Sequence, residues 1–504
     1  MSKLADLISS NQTVTAHGPW PGIDVDAAAW RLASEALGQQ EWTLIGLWGE
    51  PDRVHMTVME PATQTIAVLT LPCPDGCFPS VGLHHSPAIR LERAVHDLYG
   101  LRPTGAEDTR PWLDHGAWGV GSPLAAEPTA PPQHRYKFLP VMGDNLHQIP
   151  VGPVHAGIIE PGHFRFTADG ETIVRLEQRL GYTHKGTESL LRGADLEHGA
   201  RLAGRISGDS TVAYALGFAL AVEAALEVVP PPRAVVLRGL MAELERVANH
   251  IGDFGAICND ASFAIMHAHC GILRERILRA SHACFGHRLM MDRIVPGGVV
   301  SDLAPGGAKQ LQDMVADVRT RLAQLTDLYA NSSSLLERTV TTGFVSRVLV
   351  ERYGAGGFVG RASGRGFDCR RWPGYAPYDR LRFDVPVLQE GDVNARVWLR
   401  LHEIRESLSM LEQLVATIPH GPVRVMFDPA TPGGKEALAL VESFRGDVFV
   451  WLRIDPDGRL SHAHFRDPSW FQWPLLEVAV HGNIVADFPL CNKSFNCSYS
   501  GHDC

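Results

Sequence analysis

Long hydrophobic runs are missing from this 504-residue sequence. The longest apolar stretch covers residues 212–222 and ends at Glu223, which is roughly half of the length that a helix needs to cross a bilayer. The opening residues, MSKLADLISSNQ, lack the basic start and the following apolar run of a signal peptide. We therefore expect a chain without a transmembrane segment of its own.

Positive charge is also scarce. Lys and Arg together number 46 against 56 Asp and Glu, which gives a net charge of −10. Because no basic stripe is present to offset phosphate, nucleic acid is excluded as a partner. A glycine-rich dinucleotide fingerprint after a strand is missing as well, so any nicotinamide (NAD) chemistry would belong to another subunit.

The nine cysteines do not form a disulfide pattern, because their number is odd and their spacing is irregular. This distribution indicates a reducing compartment. Two groups of side chains could in principle hold a metal: Cys73 with Cys77, and Cys491, Cys497, His502 and Cys504 at the C-terminal end. Neither group has the paired two-residue gaps of common zinc sites. Unligated thiols, in a loop and at a frayed chain end, are therefore the favoured interpretation.

What the sequence does contain is a clear change of composition at residues 119–136, which are rich in Pro and Ala. A chain of this length is expected to form two domains. Before the change, residues 41–73 contain three short β-rich runs separated by turn residues, and residues 27–37 are a helix candidate. The predicted units are a small N-terminal α/β-sandwich-like domain over residues 1–120, a Pro-rich linker over 121–140 and a second domain over 141–504.

The second domain is predicted to be mainly a helical bundle with β edges, which makes the fold class α+β. Residues 163–178 indicate a hairpin that turns at Asp169 and Gly170. Apolar residues spaced by three and four positions predict three long amphipathic helices. These residues are Leu237, Leu240, Leu244, Val247 and Ile251; Leu311, Val315, Val318, Leu322 and Leu325; and Val397, Leu401, Ile404, Leu408 and Leu411.

Five separated motifs carry a family resemblance. ERAVHDLYGLRPTGAEDTRPWLDHGAW (92–118) resembles the small complex I subunit that packs against the quinone-pocket subunit, and resembles still more the N-terminal domain of formate hydrogenlyase large subunits. The other four motifs resemble the large subunit of membrane-bound, energy-converting NiFe hydrogenases: IPVGPVHAGIIEPGHFRFTADGE (149–171), YTHKGTESLLRG (182–193), RASGRGFDCR (361–370) and EGDVNARVWLRLHEI (390–404). The resemblance implies a fused chain with the fold of a hydrogenase large subunit or complex I quinone-pocket subunit.

The resemblance also points to a departure from the family. Catalytic members carry Arg-x-Cys-Gly-x-Cys and Asp-Pro-Cys-x-x-Cys, whose four thiolates hold nickel and iron. The matching positions here are Ser207, Ser210, Ser498 and Gly501. Thiolate sulfur retains these soft metals, whereas a serine hydroxyl is a hard ligand and glycine has no side chain. We therefore expect no metal and no cofactor bound by this chain, and interpret Ser207 as a helix N-cap.

In complex I relatives the same cavity binds quinone between a His and a Tyr. The resemblance places Ile159 and Gly208 at these two positions. Both groups that would anchor a quinone head are therefore missing in this sequence.

Several polar residues remain in segments that border the cavity in the relatives. Glu188 matches a carboxylate that resembles a proton-path group of the family, and semi-buried carboxylates and imidazoles have pKa values suited to relaying protons. The predicted proton-relay residues are Glu188, His155, Asp209 and Arg205, and the predicted cavity-lining, cofactor-binding residues are Arg361, Ser363, Asp368, Arg370 and His184. A purely structural role stays open for each of them. Arg205, for example, would pair with Asp209 at i,i+4 without any function.

Four further residues on the helix around residues 237–251 match charged positions of the family. They are Glu243, Glu245, Arg246 and His250. We interpret them as a solvated helix face.

The resemblance implies a peripheral-arm subunit of a membrane-bound oxidoreductase complex, at the cytoplasmic face of the inner membrane. The expected partners are an iron–sulfur small subunit, which carries the electron-transferring cluster, and antiporter-like and anchor membrane subunits. Electron transfer, with quinone as one candidate acceptor, would drive ion translocation. Two alternatives stay open: a structural or regulatory scaffold without turnover and, against the missing cysteines, an active NiFe hydrogenase.

Overall fold

The computed structural model describes residues 3–10, 12–14, 17–131, 136–155, 159–430 and 433–504. Helices contain 45% and strands 18% of the residues, so the predicted mixture of helix and strand is confirmed. The domain boundaries near residues 120 and 140 stay predictions.

In the described part of the chain the helices are α1 Lys3–Ser10, α2 Ala27–Gly38, α3 Ile89–Tyr99, α4 Thr187–Leu191, α5 Leu196–Ala203, α6 Thr211–Leu226, α7 Pro232–Asp260, α8 Ala264–Phe285, α9 Gly307–Ala330, α10 Ser333–Thr339, α11 Arg347–Arg352, α12 Gly357–Ala362, α13 Val393–Ala416, α14 Ser469–Ala479, α15 Phe488–Phe495 and α16 Tyr499–His502.

The strands in the same ranges are β1 Gln12–Val14, β2 His17–Gly18, β3 Gly22–Asp24, β4 Thr43–Glu50, β5 Arg53–Glu60, β6 Thr65–Pro72, β7 Cys77–Pro79, β8 Arg102–Thr104, β9 Leu146–Val151, β10 His163–Asp169, β11 Thr172–Arg179, β12 Ile294–Val295, β13 Gly298–Val299, β14 Lys435–Glu442, β15 Asp447–Ile454 and β16 Leu460–Arg466.

The N-terminal sheet has the strand order β1-β3-β6-β5-β4, with β3 and β6 parallel and the other pairs antiparallel. Helix α2 begins where the Asp26 side chain accepts a hydrogen bond from the backbone NH of Ala29. Its Trp30 is fully buried, and the indole NH donates to the carbonyl of Pro79 over 3.0 Å. The helix candidate and the three β-rich runs predicted from the sequence are confirmed.

A second sheet, of order β16-β15-β14-β2, lies against the first. Because side chains alternate along a strand, β15 supplies both layers of the core. Phe449 and Trp451 point toward the N-terminal sheet, where they pack with Trp48. Val450 and Leu452 point the other way and belong to the core cluster that contains α6. The two sheets therefore form a buried interface.

Helices α7, α8, α9 and α13 form the bundle. The predicted apolar stripes lie in its core, where Leu237, Leu311 and Leu401 are fully buried. The three amphipathic helices are therefore confirmed. The predicted hairpin is confirmed as well, because β10 pairs antiparallel with β11 and Gly170 takes a positive φ of 56° in the turn.

Two further segments bear on the expectations. Gly208–Leu226, the turn before α6 together with α6, is long and apolar enough to cross a membrane, but 78% of its most apolar 18-residue window is buried inside the protein. Residues 119–131 have no regular secondary structure apart from the bridge between Gly121 and Thr129, and they bury Leu124.

Candidate functional site

The four positions that the resemblance assigns to the cysteine ligands of the hydrogenases lie together in the structure. Ser207 precedes the 3-10 turn Gly208–Ser210 that leads into α6. Ser498 begins α16, and its hydroxyl accepts a hydrogen bond from the backbone NH of Gly501 over 2.9 Å. The hydroxyl oxygens of Ser207 and Ser498, 291 positions apart in the sequence, are 3.0 Å apart. The fold therefore brings the matching positions together although none of them carries sulfur.

An arginine–carboxylate pair lies at this site. Arg445, in the turn between β14 and β15, donates to the two carboxylate oxygens of Asp209 over 2.8 and 2.6 Å. It also donates to the hydroxyl of Ser210 over 3.1 Å, and Ser207 donates to Asp209 over 2.9 Å. Burial alone would raise the pKa of Asp209, but Arg445 and the two hydroxyls lower it to about 2. Asp209 therefore stays ionised.

This arrangement corrects the interpretation of Ser207 as a capping side chain. Ser207 has the extended backbone of an N-cap residue, with φ of −140°. Its hydroxyl, however, bonds to Asp209 and Ser498 and not to a backbone NH of the turn.

Gly501 is enclosed by a buried carboxylate. A Cβ atom at this position would lie 2.5 Å from the Oδ2 atom of Asp467 and 2.9 Å from the hydroxyl of Ser498. Tyr214 holds Oδ2 of Asp467 with a hydrogen bond of 2.6 Å, and the backbone NH of Ser469 holds Oδ1 over 2.8 Å. The space that a cysteine side chain would need is therefore occupied by Asp467.

These residues do not fit a nickel–iron centre. None of the four positions carries sulfur, and the hydroxyls are bonded to each other, to Asp209 and to Arg445. The neighbouring thiol of Cys497 faces Gln472, with 4.0 Å between Sγ and Oε1, and burial raises its pKa. Among the described residues, no group of three or more His, Cys, Asp or Glu is arranged to hold a metal ion.

The C-terminal segment is firmly packed, so the expectation of a frayed end was wrong. Cys491, Cys497 and Cys504 are all buried. The ring of His502 stacks on Trp470 with 4.1 Å between centroids. The carboxylate of the next residue, Asp503, accepts hydrogen bonds of 2.9 Å from two backbone NH groups. The predicted site residue His184 contacts the carbonyl of Asp503 over 2.9 Å.

Glu188 is buried at the start of α4, with 8% of its side chain exposed. The phenol of Tyr99 donates to Oε2 over 3.0 Å, and Nδ1 of His464 lies 2.6 Å from Oε1. Both partners come from other parts of the chain, α3 and β16. Glu188 is therefore a buried acid with one imidazole partner.

Three of the predicted cavity-lining residues belong to a buried charge network. Arg361 donates to Glu403 over 2.9 Å and to Glu442 over 2.8 Å, and Arg370 pairs with Asp368 over 2.7 Å. Burial alone would raise the pKa of Asp368, but Arg370 and Arg361 lower it to about 2. Burial, with the charge of Asp368, raises the pKa of Glu442 to about 7. The pKa of the Glu442 carboxyl therefore lies near neutral pH.

The charged residues of α7 are buried, so their interpretation as a solvated face was wrong. Glu243 accepts hydrogen bonds of 2.6 Å from both Tyr378 and Ser407, and His250 pairs with Glu403 over 2.8 Å. Burial raises the pKa of Glu245 to about 8, although two backbone NH groups of α6 donate to it. Helix α7 has no solvated face here because α13 and the β14–β15 turn cover it.

Other predicted residues lie apart from these contacts. Arg205 does not pair with Asp209, as its i,i+4 spacing suggested, but forms an exposed pair with Asp292 at 2.5 Å. His155 contacts the carbonyl of Gly162 over 2.8 Å. Ser363, two residues after Arg361, is fully buried. Its hydroxyl has no hydrogen-bond partner among the described residues.

The two positions that correspond to quinone-anchoring residues are open. Ile159 is 39% exposed, and a Cβ atom at Gly208 would meet no atom within 4 Å. Neither residue has a polar side chain for a quinone carbonyl.

Sequence reasoning missed the partners that complete the site, namely Arg445, Asp467, Tyr214, Tyr99 and His464. One signal was available for Arg445. It lies in Ser-Phe-Arg-Gly-Asp between two strongly apolar strands, where a charge in a short turn is expected to be exposed unless it is paired.

Comparison with known proteins places this chain among proteins of the hydrogenase and complex I type. The family described as the respiratory-chain NADH dehydrogenase 49 kDa subunit matches residues 262–432. The carbon monoxide-induced hydrogenase of Rhodospirillum rubrum is 30% identical over 353 residues, 70% of this chain and 98% of that protein.

Two further relatives extend the comparison. The D 1 component of the NADH-quinone oxidoreductase of Roseiflexus sp. is 32% identical over 356 residues, 68% of this chain and 94% of the relative. Formate hydrogenlyase subunit 5 of Escherichia coli is 29% identical over 441 residues, 84% of this chain and 77% of the relative. The chain belongs to the family of hydrogenase large subunits and complex I 49 kDa subunits.

Proposed function

We propose that this chain is a peripheral-arm subunit of a membrane-bound oxidoreductase complex that works without a nickel–iron centre. In this complex, electrons from an iron–sulfur small subunit reach the site formed by Ser207 and Ser498, while antiporter-like and anchor membrane subunits translocate ions. The chain lies peripherally at the cytoplasmic face of the inner membrane. Residues 1–120 serve as the complex I small-subunit-like part, joined through 121–140 to the large-subunit-like part over 141–504.

One observation carries the proposal: the ligand positions converge, yet they are filled by hydroxyls and an ion pair. Ser207 and Ser498 are within hydrogen-bond distance, and Arg445 is bidentate on Asp209. The guanidinium and the carboxylate hold each other in place, and the ion pair as a whole carries no net charge. Quinone in a pose different from that of complex I is one candidate acceptor.

The buried acids support a role in proton coupling. Glu188 has a hydrogen-bonded imidazole partner, and Glu442 has a pKa raised to about 7 by burial and by Asp368. A carboxyl with a pKa near the working pH can both take up and release a proton.

A scaffold without turnover is the second candidate. The observation in its favour is the closure of the site, since the hydroxyls of Ser207 and Ser210 and the carboxylate of Asp209 are all engaged inside the protein.

The test uses the complex purified through a tag on this chain. We expect membrane subunits and an iron–sulfur subunit to copurify, iron but no stoichiometric nickel on metal analysis, and donor-driven reduction of the clusters coupled to ion transport. Glu188→Ala and Asp209→Ala should reduce transport. Unchanged transport in both variants, or a complex without redox activity, supports the scaffold. Stoichiometric nickel with hydrogen uptake would overturn the proposal.

A further inference from the structure

A second cluster of buried titratable side chains lies between the two facing sheets, next to Glu188. Strands β4 and β5 contribute Glu50 and His55, and β16 contributes His462 and His464. Because strand residues two positions apart share a face, His462 and His464 both point into this interface. We refer to Glu50, His55, His462 and His464 as the inter-sheet cluster.

The outer end of the inter-sheet cluster is centred on Glu50. Nε2 of His55 lies 3.3 Å from Oε2 of Glu50, and Nδ1 of His462 lies 3.4 Å from Oε1. Glu50 and His55 are 2% exposed, whereas His462 is 22% exposed. Burial alone would raise the pKa of Glu50, but His55 and Arg453 lower it to about 2. A permanent negative charge therefore lies beside two imidazoles, one of which reaches solvent.

The inner end of the cluster is the contact between His464 and Glu188. The ring of Trp48 stacks on His464 with 5.4 Å between centroids and on His55 with 5.1 Å. Nδ1 of His464 lies 2.6 Å from Glu188. The aromatic packing fixes the orientation of the imidazole, so this short contact is maintained.

The second ring nitrogen of His464 distinguishes this histidine from a structural one. Nε2 of His464 is buried and makes no hydrogen bond to another described residue. A structural histidine in a core normally has its ring nitrogens satisfied. A relaying imidazole needs the second nitrogen free, because it must receive a proton there when it releases one from the other side.

We propose that His464 loads and unloads the proton of Glu188, and that His462 connects His464 with solvent, so that protons enter or leave through the interface of the two sheets. The inference rests on the proposed function, in which Glu188 is a proton-path group. In one transfer, the Nδ1–H bond of His464 breaks as an O–H bond forms on Glu188. Nε2 takes up a replacement proton from the His462 side. The imidazole changes tautomer, and no electron is transferred.

Other groups near Glu188 do not provide this route. The titratable and charged groups that face Glu188 and its histidines are Tyr99, Arg192, Lys185, Glu50, Arg453 and Cys504. Tyr99 donates to Glu188, but burial and the charge of Glu188 raise the pKa of its phenol well above the usual value. Burial raises the pKa of the Cys504 thiol to about 12. Both keep their protons, which leaves His464 as the exchanging partner.

The first test follows histidine protonation in the isolated full-length chain by NMR with 13C-labelled histidine. The resonance of His464 is identified by its loss in His464→Asn. In Glu188→Gln we expect the Nε2–H tautomer of His464 to gain population, because a neutral amide holds the proton on Nδ1 less strongly than a carboxylate does. An unchanged tautomer of His464 overturns the inference.

The second test measures ion transport by the whole complex. His464→Asn keeps an NH donor near Oε1 of Glu188 but has no second ring nitrogen, so relay is lost together with the stacking on Trp48. We expect transport to fall about 100-fold or more, in line with the usual contribution of a proton-transferring side chain, with a shifted pH profile. The control His269→Asn, on the exposed side of α8, should match the wild type.

Failure of the two proposals can be told apart. A wild-type complex without ion transport contradicts the proposed function, and the tautomer of His464 observed by NMR then decides the inference alone. Wild-type transport in His464→Asn overturns the inference and leaves the proposed function standing.

Discussion

Gly501→Ala should destabilise the protein, because the atoms packed around position 501 leave no space for a side chain. The new Cβ would lie 2.5 Å from Oδ2 of Asp467 and 2.8 Å from its Cγ. Asp467 cannot move away freely, since Tyr214 holds Oδ2 over 2.6 Å and the NH of Ser469 holds Oδ1 over 2.8 Å. The substitution must therefore displace a buried, doubly bonded carboxylate.

The magnitude follows from three contributions. Overpacking in a filled interior costs about 1–3 kcal/mol, and a weakened buried hydrogen bond adds about 0.5–1.5 kcal/mol. Replacing glycine by alanine in a helix returns about 0.5–1 kcal/mol. We expect a net loss of about 0.5–4 kcal/mol in the free energy of unfolding for Gly501→Ala, and a larger loss for Gly501→Cys.

Urea unfolding followed by tryptophan fluorescence measures this loss. Gly208→Ala is the matched control, because a Cβ at Gly208 meets no atom within 4 Å, and its stability should change by less than about 0.5 kcal/mol. In a Tyr214→Phe background Asp467 loses one restraint, so the cost of Gly501→Ala should fall by at least about 0.5 kcal/mol. Equal stability of Gly501→Ala and wild type would refute the reasoning.

Two further predictions concern charges. Arg445→Met removes the partner of Asp209, whose side chain is 36% exposed, and should lower the free energy of unfolding by about 1–3 kcal/mol. Arg205→Ala breaks only a surface pair and should lower it by less than about 1 kcal/mol in the same assay. A similar loss in both variants would contradict the assigned pairs. Burial raises the pKa of Glu245 to about 8 from 4.5, so the protein takes up a proton at Glu245 when it folds between these pH values. The free energy of unfolding should therefore fall as pH rises from about 4.5 to 8, by at most about 1.4 kcal/mol per pH unit. Glu245→Gln should flatten this fall in unfolding curves recorded across that range, and an unchanged slope would show that Glu245 does not cause it.

Much of the local structure was predictable from the sequence. The spacing of Leu311 and its partners placed α9, and the alternation of residues around Asp169 and Gly170 placed the β10–β11 hairpin. Both depend on contacts between residues close in the chain, so periodicity and turn chemistry suffice. The absence of sulfur at Ser207, Ser210, Ser498 and Gly501 was equally plain.

The partners of the site residues were beyond the sequence. Asp209 pairs with Arg445, 236 positions away, and not with the nearby Arg205. The i,i+4 rule gave the wrong partner because a surface pair is worth little, whereas a partly buried carboxylate needs a charge that the fold brings to it.

The sequence by itself determined the family, the order of the main elements and the absence of sulfur at Ser207, Ser210, Ser498 and Gly501. Only the tertiary structure decided which side chains these positions contact. Asp467 fills the space at Gly501, and Arg445 neutralises Asp209. The physical reason is that burying an unpaired charge is costly, so each buried charge needs a partner. Which charges are buried depends on the elements that cover a helix such as α7, and the sequence alone does not show this.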